Sequence, residues 1–484
     1  MRRSLKYILS SILVLAAVLG LSGCSSNKKE SAKDSVPTIL MYQIGDKPKN
    51  YDTLMANANK ILEKKVHANL KIQYIGWGDY AQKMAVIVSS GENYDIAKAD
   101  NYVVNAQKGA YADLTKLLPK YASSAYKDLD EAYIKGNKVN GKLYAFPVNG
   151  NVFAQQTLAL NAKYLKKIGM NADDVKSYAD LEPILAKFKE DDPKKVPFAT
   201  GNMFRVAGNF DYILSSELPF AVDYSEGADG KTIINPYDSE SMKSNLKVIR
   251  SYYKKGYIDK DAATNKTGYP LTTDNWLVRQ ETQGSLGVGN QALSEAAGKE
   301  MVSKSITTPA KTNTQAQMCD FVINNASKHK ITSLKVLGEI NSNPKLLNGL
   351  VYGVEGESWK KVGNDRIELL KGYKDGYHMS AWNTGNADIV YNTKDVTDEM
   401  LEQKRVDTEN AIQSPALGFQ FDSSNVKTEI TNVAAVMNKY IADINTGTVD
   451  PDKTIPKLDK ELKSAGYDKV LKEMQKQYDS FLQK

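Results

Sequence analysis

Cysteine and histidine are scarce in this chain of 484 residues, which holds two of the first and three of the second. Two cysteines, Cys24 and Cys319, cannot build a disulfide framework. Cys319, within Met318-Cys319-Asp320-Phe321-Val322-Ile323, reads as a small buried hydrophobe. His67, His329 and His378 are far apart, and none belongs to a His-Glu-x-x-His pattern, so zinc sites and histidine-based triads lose their support. Phosphate loops are missing too, and Gly287-Val288-Gly289 lacks the third glycine of a dinucleotide turn. The 64 Lys and Arg are dispersed among 57 Asp and Glu, which argues against nucleic acid as a partner. No internal repeat is visible. Beyond the first two dozen residues no apolar run reaches the ~20 residues of a membrane span.

The N-terminus is the exception. Arg2, Arg3 and Lys6 precede an apolar run from Ile8 to Leu21, which ends in Leu21-Ser22-Gly23-Cys24. A positive segment, a short apolar stretch and small residues before a cysteine form a lipoprotein signal, cut to leave Cys24 as a lipidated N-terminus. Residues 24–36 are polar, without apolar period, and read as a flexible tether. The expected location is the outer face of the cell membrane, through the lipid at Cys24.

From Thr38 onward, strands and helices alternate. Thr38 to Ile44, Leu70 to Ile75 and Tyr94 to Ala97 read as strands, with helices between them carried by Leu54, Ala58, Ile61 and Leu62, and by Tyr80, Met84, Ile87 and Val88. Such an order implies parallel βαβ units, whose ligands bind beyond the carboxyl ends of the strands. That rule selects Tyr42, Gln43, Trp77 and Asp100. Asn140-Gly141 predicts a hairpin turn, and Val152 to Leu160 is long enough to leave a first lobe, which places Asn149 and Asn151 at the crossing. Trp276 reads as part of a helix, followed by a strand over Ser285 to Val288. Val302 to Thr307 and Met318 to Asn324 read as a strand pair that returns the chain to the first lobe. The expectation is an α/β, two-lobed, periplasmic-binding-protein-like fold with a hinge and a cleft. The first lobe is expected from residues 37–150 and 306–375, and the second from 151–305 and 376–484, which includes the C-terminal helices.

Several stretches resemble the family 1 extracellular solute-binding proteins, the maltose-binding-like lipoproteins of ABC importers. They are SSGENYDI (Ser89 to Ile96), YADLTKLLPKY (Tyr111 to Tyr121), NGKLYAFPVN (Asn140 to Asn149), LALNAKYLKKIG (Leu158 to Gly169) and SYADLEPILAKFK (Ser177 to Lys189). LNGLVYGVEGESWKK (Leu347 to Lys361), SAWNTGNADIVY (Ser380 to Tyr391), SPALGFQFD (Ser414 to Asp422) and the segment from Leu462 to Phe481 resemble the LipO-type subgroup. The resemblance implies a monomer that captures a small solute, an oligosaccharide above all, for a membrane permease, without catalysis or cofactor. A lipid-anchored glycoside hydrolase built on two carboxylates and a ligand-sensing lipoprotein remain the alternatives.

Sugars present apolar ring faces and many hydroxyls, so their sites need aromatic plates and planar hydrogen-bonding groups. Trp77, Trp276 and Trp382 lie in polar or glycine-containing surroundings, whereas Trp359, inside a hairpin, reads as structural. Trp382-Asn383-Thr384-Gly385-Asn386 places an aromatic plate directly before turn amides, so Trp382, Asn383 and Asn386 join the candidates.

Overall fold

A computed structural model describes residues 36–285, 289–363 and 365–483. The segment around Cys24, nearly all of the tether and the end of the strand read over Ser285 to Val288 lie outside the described residues.

The first sheet runs in the order Asn69–Ile75, Thr38–Ile44, Ile96–Lys98, Asp320–Ile323, Ala145–Pro147. Its first three strands are parallel, as the βαβ pattern requires, and Asp320–Ile323 is antiparallel to both its neighbours. The helix Tyr51–Val66 makes the first crossover because Leu54, Met55, Ala58 and Leu62 form one buried stripe. The second, Tyr80–Ser90, stops at Gly91, whose φ of 71° lets its N–H return to the Ile87 carbonyl. Asn140 and Gly141, at φ 51° and 77°, form the expected tight turn.

The second sheet is ordered Ile412–Gln413, Ala310–Lys311, Ala154–Asn161, Trp276–Gly284, Val196–Ala199, and Met301–Ser305 also pairs with Ala154–Asn161. Two sequence expectations change here. Trp276 opens a nine-residue strand and not a helix, since Trp276, Leu277 and Val278 are buried on both faces and show no alternation to read. Met301–Ser305 and Asp320–Ile323 do not pair with each other but belong to different sheets, so the return crossing lies between Lys311 and Asp320.

Each sheet has its own core. Ile39, Leu54, Leu70, Ile96, Phe146, Phe321, Leu337 and Leu347 pack on the first sheet, and Leu158, Leu185, Phe188, Phe198, Leu246, Val433, Met474 and Tyr478 on the second. The C-terminal helices Lys427–Asn445, Pro451–Ser464 and Tyr467–Leu482 feed the second core. Residues 376–391, expected with the second lobe, contribute Met379, Trp382, Ile389 and Tyr391 to the first core. The third crossing is therefore the helix Asp398–Asn410, which buries no residue and is laced with Arg405–Glu402 and Arg405–Glu409 pairs. A mostly polar helix with no buried face is suited to span solvent between lobes. Val152 and Phe153, Ala316, and Ala411, one contribution from each crossing, meet in a small core with Ala132, Tyr133 and Leu417.

Candidate functional site

The ten sequence-selected residues separate into distinct settings. Gln43, Trp77, Trp382 and Asn383 come together at the carboxyl ends of the first-sheet strands. Gln43 Nε2 donates to the Asn383 carbonyl at 2.7 Å, and Asn383 Nδ2 to the Ile44 carbonyl at 3.4 Å. Trp77 stacks on Trp382 and covers Gly45, with 53% of its surface open to solvent.

Tyr42 points away from that cluster, since its hydroxyl donates to Glu92 Oε1 at 2.7 Å and its ring meets Tyr94 edge-on. Burial, with Glu92 adding to it, pushes the phenol up to about 12. The Asp100 carbonyl receives Asn105 Nδ2 and the Tyr111 hydroxyl, and its half-buried carboxyl is raised by desolvation against the pull of Lys98. Asn149 Nδ2 donates to Asp388 Oδ2 at 2.8 Å, while Lys404 from the helix Asp398–Asn410 holds the other Asp388 oxygen. This carboxylate thus ties the first crossing to the third. Asn151 contacts Ser285 and Met318.

Two candidates change role. Trp276 is fully buried, its indole N–H bonded to the Pro270 carbonyl and Thr273, in a core formed with Val196, Leu293 and Met301. A ring with no accessible face cannot stack on a ligand. Asn386 is 2% exposed and caps the turn at Asp388 N while donating to the Asn341 carbonyl, so its amide is committed to the backbone.

A large concavity lies elsewhere. A cavity of about 870 Å³ opens beside the second sheet, and none of the ten residues lines it. Its walls are the turn Gly201–Gly208 after the strand Val196–Ala199, the strand Phe210–Tyr212, the loop 265–269, the rims of the two central strands and the crossing near Thr312 and Gln315. Amides fix one wall. The Tyr178 hydroxyl donates to Gln280 Oε1, Gln280 Nε2 donates to Gln156 Oε1 at 3.0 Å, and Gln156 Nε2 donates to Thr282 Oγ1 at 2.9 Å. Tyr178 is itself held by the Ala207 N–H at 2.8 Å, so each donor and acceptor in the ladder has one orientation.

The guanidinium groups in the wall are already engaged. Arg205 donates to the carbonyls of Asn202 and Phe204 and pairs with Glu217 at 2.9 Å. Arg279 pairs with Glu281 and donates to the Tyr269 carbonyl. Burial raises the Glu281 carboxyl, and Arg279 opposes that shift. Exposed Met203, with Phe204 and Tyr269, supplies apolar surface. Hydroxyls and amides alternating with apolar faces suit a polyhydroxylated ring, and both arginines of the wall are already paired, with Glu217 and Glu281. Among the described residues no group of three or more His, Cys, Asp or Glu could hold a metal ion, and no helix is long and apolar enough to cross a membrane.

A family profile described as "Bacterial extracellular solute-binding protein" matches residues 45–330, and a second, "Domain of unknown function (DUF3502)", matches residues 415–483. A carbohydrate ABC transporter substrate-binding protein of Streptococcus pneumoniae is 51% identical over 484 residues, 99% of this chain and 98% of that one. This chain belongs to the bacterial extracellular solute-binding proteins. Its fold matches the crystal structure of the N-glycan transport solute binding protein NgtS from S. pneumoniae with a TM-score of 0.89 and 52% identity, covering 92% of this chain and 99% of that one. Lipoprotein LipO of Bacillus subtilis is 23% identical over 52% of this chain and 51% of its own length. A solute-binding protein from Bifidobacterium longum infantis shares the fold at a TM-score of 0.62 and 17% identity, covering 93% of this chain and all of the other. Membership in this solute-binding family agrees with the two cores on two sheets and the three crossings between them.

Proposed function

We propose that the chain captures a neutral oligosaccharide outside the cell and delivers it to an ABC permease, without altering it chemically. The observation that carries this reading is the 870 Å³ cavity, whose wall combines an oriented amide and hydroxyl ladder with two arginines already paired to carboxylates. A relative 51% identical from end to end, named as a carbohydrate transporter component, supports it. The NgtS structures add a conformational argument. This chain matches NgtS at 0.89 in the structure named without a ligand, at 0.80 in the complex with Man1GlcNAc and at 0.76 in the complex with Man5GlcNAc. Identity is 52% in all three comparisons, so the decline reflects conformation, as expected where lobes close on a ligand. The ligand class we assign is a mannose-rich glycan carrying GlcNAc.

In this reading the cavity binds the glycan against the second lobe, and Trp77 and Trp382 form the facing wall after closure. The crossings at 148–153, 312–319 and 394–411 are the hinge. Multiple acylation at Cys24 would keep a monomeric cleft beside its permease, since a single acyl chain binds a membrane only marginally and stable anchoring takes more than one.

Calorimetry of the soluble chain with Man1GlcNAc and Man5GlcNAc tests the function, with 1:1 binding and a raised melting temperature expected. The recovered glycan should be intact; newly released reducing ends would transfer the reading to a hydrolase. Silence toward both glycans would remove it. Replacing Cys24 by Ser should release the protein into the medium with its affinity unchanged.

A further inference from the structure

Asp211 lies on the short strand Phe210–Tyr212, in the cavity wall, and is 5% exposed. Ser414, immediately after the strand Ile412–Gln413, donates its hydroxyl to Asp211 Oδ2. The other oxygen, Oδ1, is not part of that hydrogen bond, and Asp211 lines the cavity. Placing a carboxylate here is costly, and a single contact with Ser414 could be made equally by an amide. A buried acid with one oxygen held by Ser414 and the other outside that bond, in the wall of a cleft, is a candidate for contact with what enters the cleft.

The surroundings leave that oxygen available. From neighbouring elements Asp211 faces the Ser414 hydroxyl and the phenols of Tyr224 and Tyr478. Burial raises both phenols, Tyr478 to about 12, so both are neutral at physiological pH. The charged groups that share the cavity wall are Arg205, Arg279, Glu281 and Lys266, and both arginines are paired elsewhere. Burial pushes the Asp211 carboxyl up to about 6, with Ser414 opposing that shift.

We infer that Asp211 Oδ1 accepts a hydrogen bond from a saccharide hydroxyl, which makes glycan capture pH-dependent and admits at this wall a donor but not a second carboxylate. The inference rests on the cavity being the glycan site. A hydroxyl donating to the ionised carboxyl binds that form better, so protonation of the free protein weakens binding. One pH unit below the carboxyl's pKa leaves about a tenth of the molecules ionised, so affinity falls about tenfold between pH 7.5 and pH 5.

The test is calorimetry of the soluble chain with Man5GlcNAc from pH 5 to 7.5, for the natural sequence, Asp211→Asn and Ser414→Ala, with circular dichroism to verify folding. Expected are the tenfold decline in the natural sequence, a loss of about tenfold or more with a flat pH profile in Asp211→Asn, and a decline shifted to higher pH in Ser414→Ala, where the opposing hydroxyl is gone. Should Asp211→Asn not fold, the natural profile and its shift in Ser414→Ala decide the matter. Unchanged affinity and pH profile in folded Asp211→Asn overturn the role of Asp211 while the glycan reading stands. A natural protein that binds no glycan at any pH overturns both.

Discussion

Trp77 and Trp382 lie face to face, their ring centroids 5.9 Å apart and their planes 21° from parallel, although 305 positions separate them in the chain. Trp382 is anchored on the first core, whereas Trp77 presents more than half its surface to solvent. Aromatic stacking of this kind contributes about 0.5–1.5 kcal/mol beyond area burial. Trp77→Ala should therefore lower stability by about 1 kcal/mol, and Trp382→Ala by more. If the pair forms the facing wall of the glycan site, each change lowers affinity for Man5GlcNAc about tenfold, and the glycan alters the tryptophan emission of the natural protein. A Trp77→Ala protein with full affinity would place the pair outside the site.

Trp276 provides the opposite expectation. It is fully buried, hydrogen-bonded through its indole N–H and flanked by Lys299 and Arg279 over its ring. Removing such a side chain costs about 3–5 kcal/mol. Trp276→Ala should shift the denaturant midpoint strongly, while Trp276→Phe, which keeps most of the packing, should lose less and bind glycan normally. Loss of binding in a stable Trp276→Phe protein would return this residue to the site.

Which parts were legible in the sequence follows from how local the signals are. The strand Thr38–Ile44 and the turn at Asn140-Gly141 depend on neighbouring residues and lie where the pattern puts them. Trp276 reads as helical in the sequence because a strand buried on both faces has no period to detect. The cavity is illegible for a different reason: the strand-end rule reaches it only through the second sheet, whose strands carry a weaker pattern than those of the first. Applied to Val196–Ala199 it selects Thr200 and Gly201, the start of the turn that carries Arg205. Asp211 carries no local signal at all, since its meaning depends on Ser414, 203 residues away.

Gly136 tests the small core where the three crossings meet. A Cβ added there would lie 2.4 Å from the Ala316 Cβ and 3.3 Å from Leu417, so the helix containing Gly136 could no longer approach the second crossing. Overpacking of this kind costs about 1–3 kcal/mol. Gly136→Ala should lower the melting temperature, and small-angle scattering should show lobes that no longer reach the compact dimensions of the natural protein with Man5GlcNAc. A scattering change on ligand addition equal to the natural one would show that this contact supports the fold without influencing the hinge.

Asp320 gives a prediction whose sign is fixed by burial. It is fully buried on the strand that returns the chain to the first sheet, with Asn137 Nδ2 donating to its Oδ1 at 3.3 Å. Asp320 Oδ2 and Asn137 Oδ1 both lack a partner among the described residues. Desolvation raises its carboxyl well above the ordinary range, against the opposing pull of Lys98 and Asn137. The folded protein therefore retains a proton here that the unfolded chain releases near pH 4. Between those two pKa values the folded state binds more protons, so this group's contribution to stability is complete at acid pH and declines as pH rises. Asp320→Asn has no charge to desolvate, and its amide can donate toward the Asn137 oxygen. It should stabilise the fold at pH 8 by about 1–3 kcal/mol, with the gain vanishing toward pH 4, as measured by urea denaturation at a series of pH values. Equal destabilisation at every pH would mean that the Asp320 carboxyl is ionised in the folded protein and held there by Lys98.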